Sequence, residues 1–247
     1  MACSEVPDWY LSRRIAVVDL GSATWRKARA EVVPPGYAAD ECLRRLAKAG
    51  KVRRIGRGLY VLIDPVRETP PIAIASTLFA DEPHYVTTDA ALAFHGVIDQ
   101  PIRQIAVVLT HSRRAIDAGP AVVRPVTMRA DRFTTSDAYD TTTEGFKIRV
   151  ATRDQAVVDA LTEPAWMVHG DLLAEVLATF TVDEIERTAS AATARSKAAA
   201  QRLGYLLEDA GRPVADSLAS LRPVRAVRLR PGHRTGGPYS TRWRVYG

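Results

Sequence analysis

The sequence predicts an α+β protein in two parts: an N-terminal winged helix-turn-helix over residues 1–66, then a larger mixed α+β domain over 67–247. Three observations carry this. An amphipathic helix that ends in glycine is followed at once by two short strands around a Gly-Arg-Gly turn. A proline-rich stretch, Asp64 to Pro71, separates that unit from the rest. Beyond it, apolar runs of strand length mix with segments of helical period. With 247 residues, 47% of them apolar, the chain is long enough to bury a core without disulfides or metal.

In the first 33 residues Trp9, Leu11, Ile15, Val18 and Leu20 recur at roughly helical spacing, and Gly21 breaks the segment. Ser22 is placed to cap a second helix, in which Trp25, Ala28 and Val32 share one face and Arg26, Lys27, Arg29 and Glu31 the other. Pro34-Pro35-Gly36 stops it. A third helix runs from about Ala38 to Ala49. Ala39, Cys42, Leu43 and Leu46 form its apolar stripe, Glu41, Arg44, Arg45 and Lys48 lie opposite, and Gly50 ends it. The strands Lys51 to Ile55 and Leu59 to Ile63 then flank the turn Gly56-Arg57-Gly58. A helix about 10–12 Å across fits the major groove if one face packs inward and the other is basic. An arginine at a hairpin tip can reach a neighbouring phosphate or groove.

In the second domain the sequence predicts helices at Ile72 to Phe79 and Asp89 to His95, and strands at Gln104 to Thr110, Ala121 to Met128 and Phe146 to Ala151. Further helices follow at Thr152 to Leu161 (capped by Thr152), Asp171 to Phe180, Val182 to Ala192, Ala194 to Ala210 and Val214 to Leu221. Two strand-like pieces, Val224 to Leu229 and Thr241 to Tyr246, flank a Gly/Pro/Ser-rich loop in the tail.

The net charge of +6 is unevenly laid out: +5 over residues 1–66, −6 over 67–221 and +7 over 222–247, a tail with no acidic residue. The basic head suits a polyanion, and the acidic middle argues against nucleic acid wrapping the whole molecule. Only five of the 34 basic residues are lysine. That bias suits phosphate and base-edge contacts, and a GC-rich genome also produces it. No run approaches the roughly 20 apolar residues of a membrane helix, and the opening stretch has no leader-like basic and apolar regions. Cys3 and Cys42 form neither a disulfide framework nor a metal site, so the reading is of a reduced, cytoplasmic protein that does not engage a membrane.

Five histidines (84, 95, 111, 169, 233) lack metal-ligand spacing, and His95 at a helix end reads as a partner for terminal carbonyls. No phosphate loop or Gly-x-Ser-x-Gly motif is present. The sequence therefore predicts no catalytic residues, no metal and no cofactor. The alternative is a metal-dependent nuclease targeted by a winged helix. It would use Asp140, Glu144 and Lys147, but their spacing is loose for residues on one strand face. The tail has two readings: edge strands with solvated arginines, or an interaction surface with Trp243 as anchor.

The more specific constellation joins Leu43-Arg44-Arg45-Leu46-Ala47-Lys48-Ala49-Gly50-Lys51-Val52-Arg53-Arg54-Ile55 to Gly56-Arg57-Gly58-Leu59-Tyr60. A second runs from Pro71-Ile72-Ala73-Ile74-Ala75 to His84-Tyr85-Val86-Thr87-Thr88-Asp89-Ala90-Ala91-Leu92-Ala93-Phe94-His95-Gly96-Val97. With Ala151 to Leu161, Arg202-Leu203-Gly204-Tyr205-Leu206-Leu207-Glu208 and the Arg-Trp-Arg near the end, these make the chain resemble the AbiEi-type antitoxin and transcriptional regulator family of abortive-infection toxin–antitoxin systems. The resemblance implies an antitoxin whose N-terminal winged helix represses its own operon, and whose C-terminal domain counters a nucleotidyltransferase toxin. It carries the family's DNA-binding positions onto Arg44, Arg45, Lys48, Arg53, Arg54 and Arg57, to which the local reading adds Arg26, Lys27, Arg29 and Lys51. Asp40 and Glu41 depart from that pattern, since acid at this helix start repels phosphate. The expected partners are double-stranded operator DNA and the cognate toxin, with a monomer in solution and two copies on an inverted repeat.

Overall fold

A computed structural model of the protein describes residues 18–19, 39–56, 59–63, 69–133, 138–230 and 238–247. The helices expected before residue 34, with Arg26, Lys27 and Arg29, lie outside the described residues, as do Arg57 and most of the proline-rich stretch. The architecture is mixed α+β. Contacts divide the chain into two compact units. The first takes in Met1–Val86, Arg103–Thr135 and Tyr139–Val150, and the second Thr87–Ile102, Ser136–Ala138 and Ala151–Gly247.

In the first unit, helix α1 (Ala39–Lys48) is followed by strands β2 (Val52–Gly56) and β3 (Leu59–Leu62), and β1 (Val18–Asp19) completes a three-stranded sheet in the order β1-β3-β2. Cys42, Leu43 and Leu46 are buried with Val52, Tyr60 and Val61, so the expected apolar stripe is the face that packs. Gly50 at φ +69° ends the helix as its position predicted. Cys42 is disulfide-bonded, which corrects the expectation of reduced thiols. Spacing along the chain is no measure of distance in space.

Helix α2 (Pro71–Leu78), with proline in its first turn, precedes a six-stranded sheet ordered β6-β7-β5-β4-β9-β8. Its strands are β4 (Tyr85–Val86), β5 (Gln104–Leu109), β6 (Ile116–Asp117), β7 (Val122–Thr127), β8 (Ala138–Thr143) and β9 (Phe146–Ala151). β5 runs parallel to β7 and antiparallel to β4. Its residues 105–109 are all buried, as a near-continuous apolar run requires of a strand covered on both faces. The sequence reading missed β8: Ala-Tyr-Asp-Thr-Thr-Thr is too polar to signal a strand, and at the sheet edge it needs little apolar side-chain area. Glu144 and Gly145, both at positive φ, turn it into β9.

One polar network lies within this unit. The Arg149 N–H donates to Ser76 Oγ at 2.9 Å, and Ser76 Oγ lies 3.0 Å from His84 Nε2. His84 Nδ1 lies 2.9 Å from the Glu82 carbonyl, which can only accept. The proton of the neutral ring therefore sits on Nδ1, and the Ser76 hydroxyl donates to Nε2. Burial holds the His84 pKa below its ordinary value, against the opposing pull of the Glu82 carbonyl. The unfolded chain then takes up a proton at about pH 6.5 while the folded chain does not, so stability falls as pH drops through that value. Thermal melts between pH 7.5 and 5 are expected to show a shallower acid slope in His84→Gln than in the parent. Equal slopes would remove His84 as a cause.

In the second unit, α4 (Arg153–Thr162) packs against α3 (Thr88–Phe94), α6 (Val182–Arg195) and α7 (Lys197–Asp209). Helices α5 (Leu173–Ala178) and α8 (Asp216–Ala219) and the tail strands β10 (Val227–Arg228), β11 (Tyr239–Ser240) and β12 (Val245–Tyr246) complete it. Thr152 caps α4 by accepting from the Gln155 N–H, as its position predicted. The helix expected over 194–210 begins instead at Lys197, because extended Ser196 interrupts the chain and caps the new helix through Ala199 N. His95 does reach a carbonyl, though that of Ala151 at the end of β9, at 2.8 Å, rather than one of its own helix.

Candidate nucleic-acid interface

Alternation on α1 decides which side chains are offered to solvent. With Cys42, Leu43 and Leu46 inward, Glu41, Arg44, Arg45 and Lys48 fall on one outward stripe. Glu41 holds both arginines, Arg45 Nε at 3.0 Å and Arg44 Nη1 at 3.3 Å. The Arg45 hydrogen bond first, then the Arg44 charge, keep the Glu41 carboxyl below the usual range. The acid is thus a local counter-ion for two candidate contact residues, and a phosphate or base edge would compete with it for them.

The residues after the helix diverge. Lys51 is half-buried in the turn, and Arg54 is exposed on β2 with its Nε donating to the Gly56 carbonyl at 3.0 Å. Arg53 is exposed on β2 but lies across Gly119, in the turn between β6 and β7. A Cβ on Gly119 would sit 1.4 Å from Arg53 Nη1, and that glycine's φ is +94°. The structure therefore brings Arg44, Arg45 and Lys48 onto one face, keeps Arg54 with the hairpin, and turns Arg53 toward its own unit.

The three residues of the nuclease alternative lie on the hairpin β8–β9. Asp140 is paired with Arg149 at 2.9 Å, Glu144 occupies a hairpin turn, and Lys147 is exposed on β9. Among the described residues no group of three His, Cys, Asp or Glu side chains converges as a metal would require.

Sequence reasoning missed the buried polar residues that organise the second unit. Thr87 ties down α4, while Thr88 and Asp89 both hold the segment from Trp166 to His169. Thr87 Oγ1 donates to Asp159 of α4 at 2.7 Å instead of capping its own helix, and Gln155 Nε2 reaches the same carboxylate at 2.7 Å. Asp89, 2% exposed, accepts from the N–H groups of Val168 and His169 at 2.9 and 2.8 Å and lies 2.8 Å from His169 Nδ1. Thr88 is held at φ +49°, a region unfavourable for a β-branched residue. The segment so anchored lines a cleft of about 300 Å³ with Pro164, Met167, Val168, Leu173, Leu229 and Arg230. Arg230 Nε is buried there without a partner.

The tail packs on α7. Gln201 donates to the carbonyls of Trp243 and Arg225 at 2.8 and 2.9 Å, and Arg202 to those of Arg228 and Leu161 at 2.8 and 2.6 Å. Glu208 pairs with Arg242. Trp243 is 1% exposed, and its ring lies over Gly204, where a Cβ would come within 2.4 Å of it. Trp243, the anchor in one of the two readings of the tail, is instead buried as the core of the tail.

No curated protein matches the chain. A crystal structure of the Rv2827c protein from Mycobacterium tuberculosis superposes with a TM-score of 0.61 at 18% identity, covering 98% of this chain and 92% of that one, a likeness of fold. The AbiEi antitoxin C-terminal domain matches residues 85–209. That span begins at Tyr85, just before the Thr87-Thr88-Asp89 anchor, and closes with α7, the platform of the tail. It takes in just over half of the sequence, and the chain belongs to the AbiEi antitoxin family.

Proposed function

We propose that this antitoxin also represses its own operon, with residues 1–66 binding double-stranded operator DNA and residues 67–247 counteracting a nucleotidyltransferase toxin. The observation that carries the DNA-binding half is the outward stripe Arg44, Arg45 and Lys48 on a helix whose other face is buried, with a hairpin directly after it. α1 enters the major groove and the hairpin with Arg54 and Arg57 reaches the flanking backbone, while Arg26, Lys27, Arg29 and Lys51 add phosphate contacts. The protein is a monomer in solution and places two copies on an inverted repeat.

About four to six phosphate contacts per protomer give a slope of roughly −4 to −5 in log K against log salt. Fluorescence anisotropy on the upstream DNA is expected to show that slope without any divalent ion. Because contacts group residues 1–86 with parts of 103–150, the division of labour is best tested by substitution in the full chain. Arg44→Ala combined with Arg45→Ala is expected to cost about 2–4 kcal/mol of operator binding and to leave rescue from the co-expressed toxin intact. A flat salt response, or lost rescue with parental DNA binding, would refute the assignment.

A further inference from the structure

The outer face of the tail sheet carries two aromatic rings in tilted contact, among arginines. β12 runs between β10 and β11, and its registers set Arg228, Tyr246 and Tyr239 in one row across the three strands. The other row, Val227, Val245 and Ser240, turns inward, and Val245 is fully buried. The Tyr239 and Tyr246 rings lie 4.6 Å apart between centroids, and Tyr239 is 43% exposed. Tyr246 is half-buried, so Tyr239 is the ring of the pair that stays open to water. Arg225, Arg228 and Arg244 are exposed around it, and residues 222–247 contain seven arginines and no acid. Two arginines of the tail meet carboxylates from elsewhere in the unit: Glu208 takes Arg242, and Asp171 stands 4.0 Å from Arg230. Just beyond β10, Leu229 and Arg230 line the 300 Å³ cleft, where Arg230 Nε is buried and unpartnered.

We infer that the Tyr239–Tyr246–Arg228 face binds an unpaired RNA strand, its bases stacking on the tyrosines and its backbone running along the arginines toward the cleft. A duplex hides its base faces, so paired rings on a short sheet have nothing to stack on there, whereas a single strand presents one π-face per nucleotide. Guanidinium groups spaced along the face supply bidentate phosphate partners. Unpaired polynucleotide in a cell is chiefly RNA, and the exposed hydroxyl of Thr241, next to β11, offers a contact for a ribose 2′-hydroxyl. The site uses none of the residues assigned to operator binding, so the inference does not rest on that assignment.

The test is fluorescence anisotropy of a labelled 12-nucleotide oligouridine with the full chain at low salt, and of the matching DNA strand. The RNA is expected to bind, and the DNA strand more weakly. Tyr239→Ser is expected to weaken RNA binding about tenfold, Arg228→Ala several-fold, and Tyr239→Phe not at all, because the ring is what stacks. All three are expected to keep the parental melting temperature and parental binding to duplex operator. Equal binding by the parent and Tyr239→Ser would overturn the inference, as would absence of RNA binding by the parent. Equal affinity for the DNA strand would overturn the commitment to RNA. Loss of RNA binding in the Arg44→Ala, Arg45→Ala variant with retention in Tyr239→Ser would place the RNA surface on α1 instead.

Discussion

Replacing Trp243 with alanine is expected to destabilise the protein by about 3–5 kcal/mol. The ring is 1% exposed and fills the space between the tail strands and α7, where Gly204 lets it approach the helix backbone. Gly204→Ala tests the same contact from the other side. Alanine favours a helix interior by about 1 kcal/mol over glycine. Yet its Cβ would lie 2.4 Å from Trp243 Cζ3, well inside any real contact, and the ring is too enclosed to give way. Overpacking of that kind costs about 1–3 kcal/mol, so the net sign is destabilising. In the double variant the clash disappears, and the two losses are expected to be clearly less than additive in urea denaturation. Additive losses would mean that Gly204 and Trp243 do not form the contact described.

Asp89→Ala is expected to cost about 2–4 kcal/mol, because it leaves the N–H groups of Val168 and His169 without their acceptor. The same carboxylate holds the His169 ring, so one buried side chain secures a segment some 80 residues away in sequence. The loss has a local signature. Amide exchange at Val168 and His169 is expected to accelerate well before exchange in β5, and the cleft lined by Met167, Val168 and Arg230 is expected to loosen with it. Unchanged exchange at those two amides would show that the segment is held by something else. Thr88, at φ +49° beside the clamp, stores about 1–3 kcal/mol of backbone strain that the clamp must offset.

The elements that the sequence reading placed well are those whose signal is local. β5 was legible as Ile105-Ala106-Val107-Val108-Leu109, α4 from the cap at Thr152 and the inward Ala156, Val157, Ala160 and Leu161, and α1 from a stripe closed by Gly50. Each depends on a period of two or 3.6 residues, or on one terminal residue, and those patterns are written in the chain itself. β8 failed by the same rule, having no apolar period to read. The antitoxin family was legible too, because its motifs are short runs of adjacent residues.

Partnerships between distant residues follow a different rule. Nothing near Thr87 marks it as the donor to Asp159, 72 positions on, and nothing near Gly204 marks it as the floor beneath Trp243. Arg53 reads as a phosphate ligand beside Arg54, yet it lies across Gly119. In one of the two readings of the tail Trp243 is an interface anchor, yet it is the buried centre of the tail, and the tail's exposed ring is that of Tyr239. Local sequence sets backbone preference and which face of an element is apolar. Which polar groups meet, and which aromatic rings stay in water, follows from how those faces close on one another. The desolvation cost of an unpaired buried donor or acceptor then selects among the packings that the apolar pattern alone would allow.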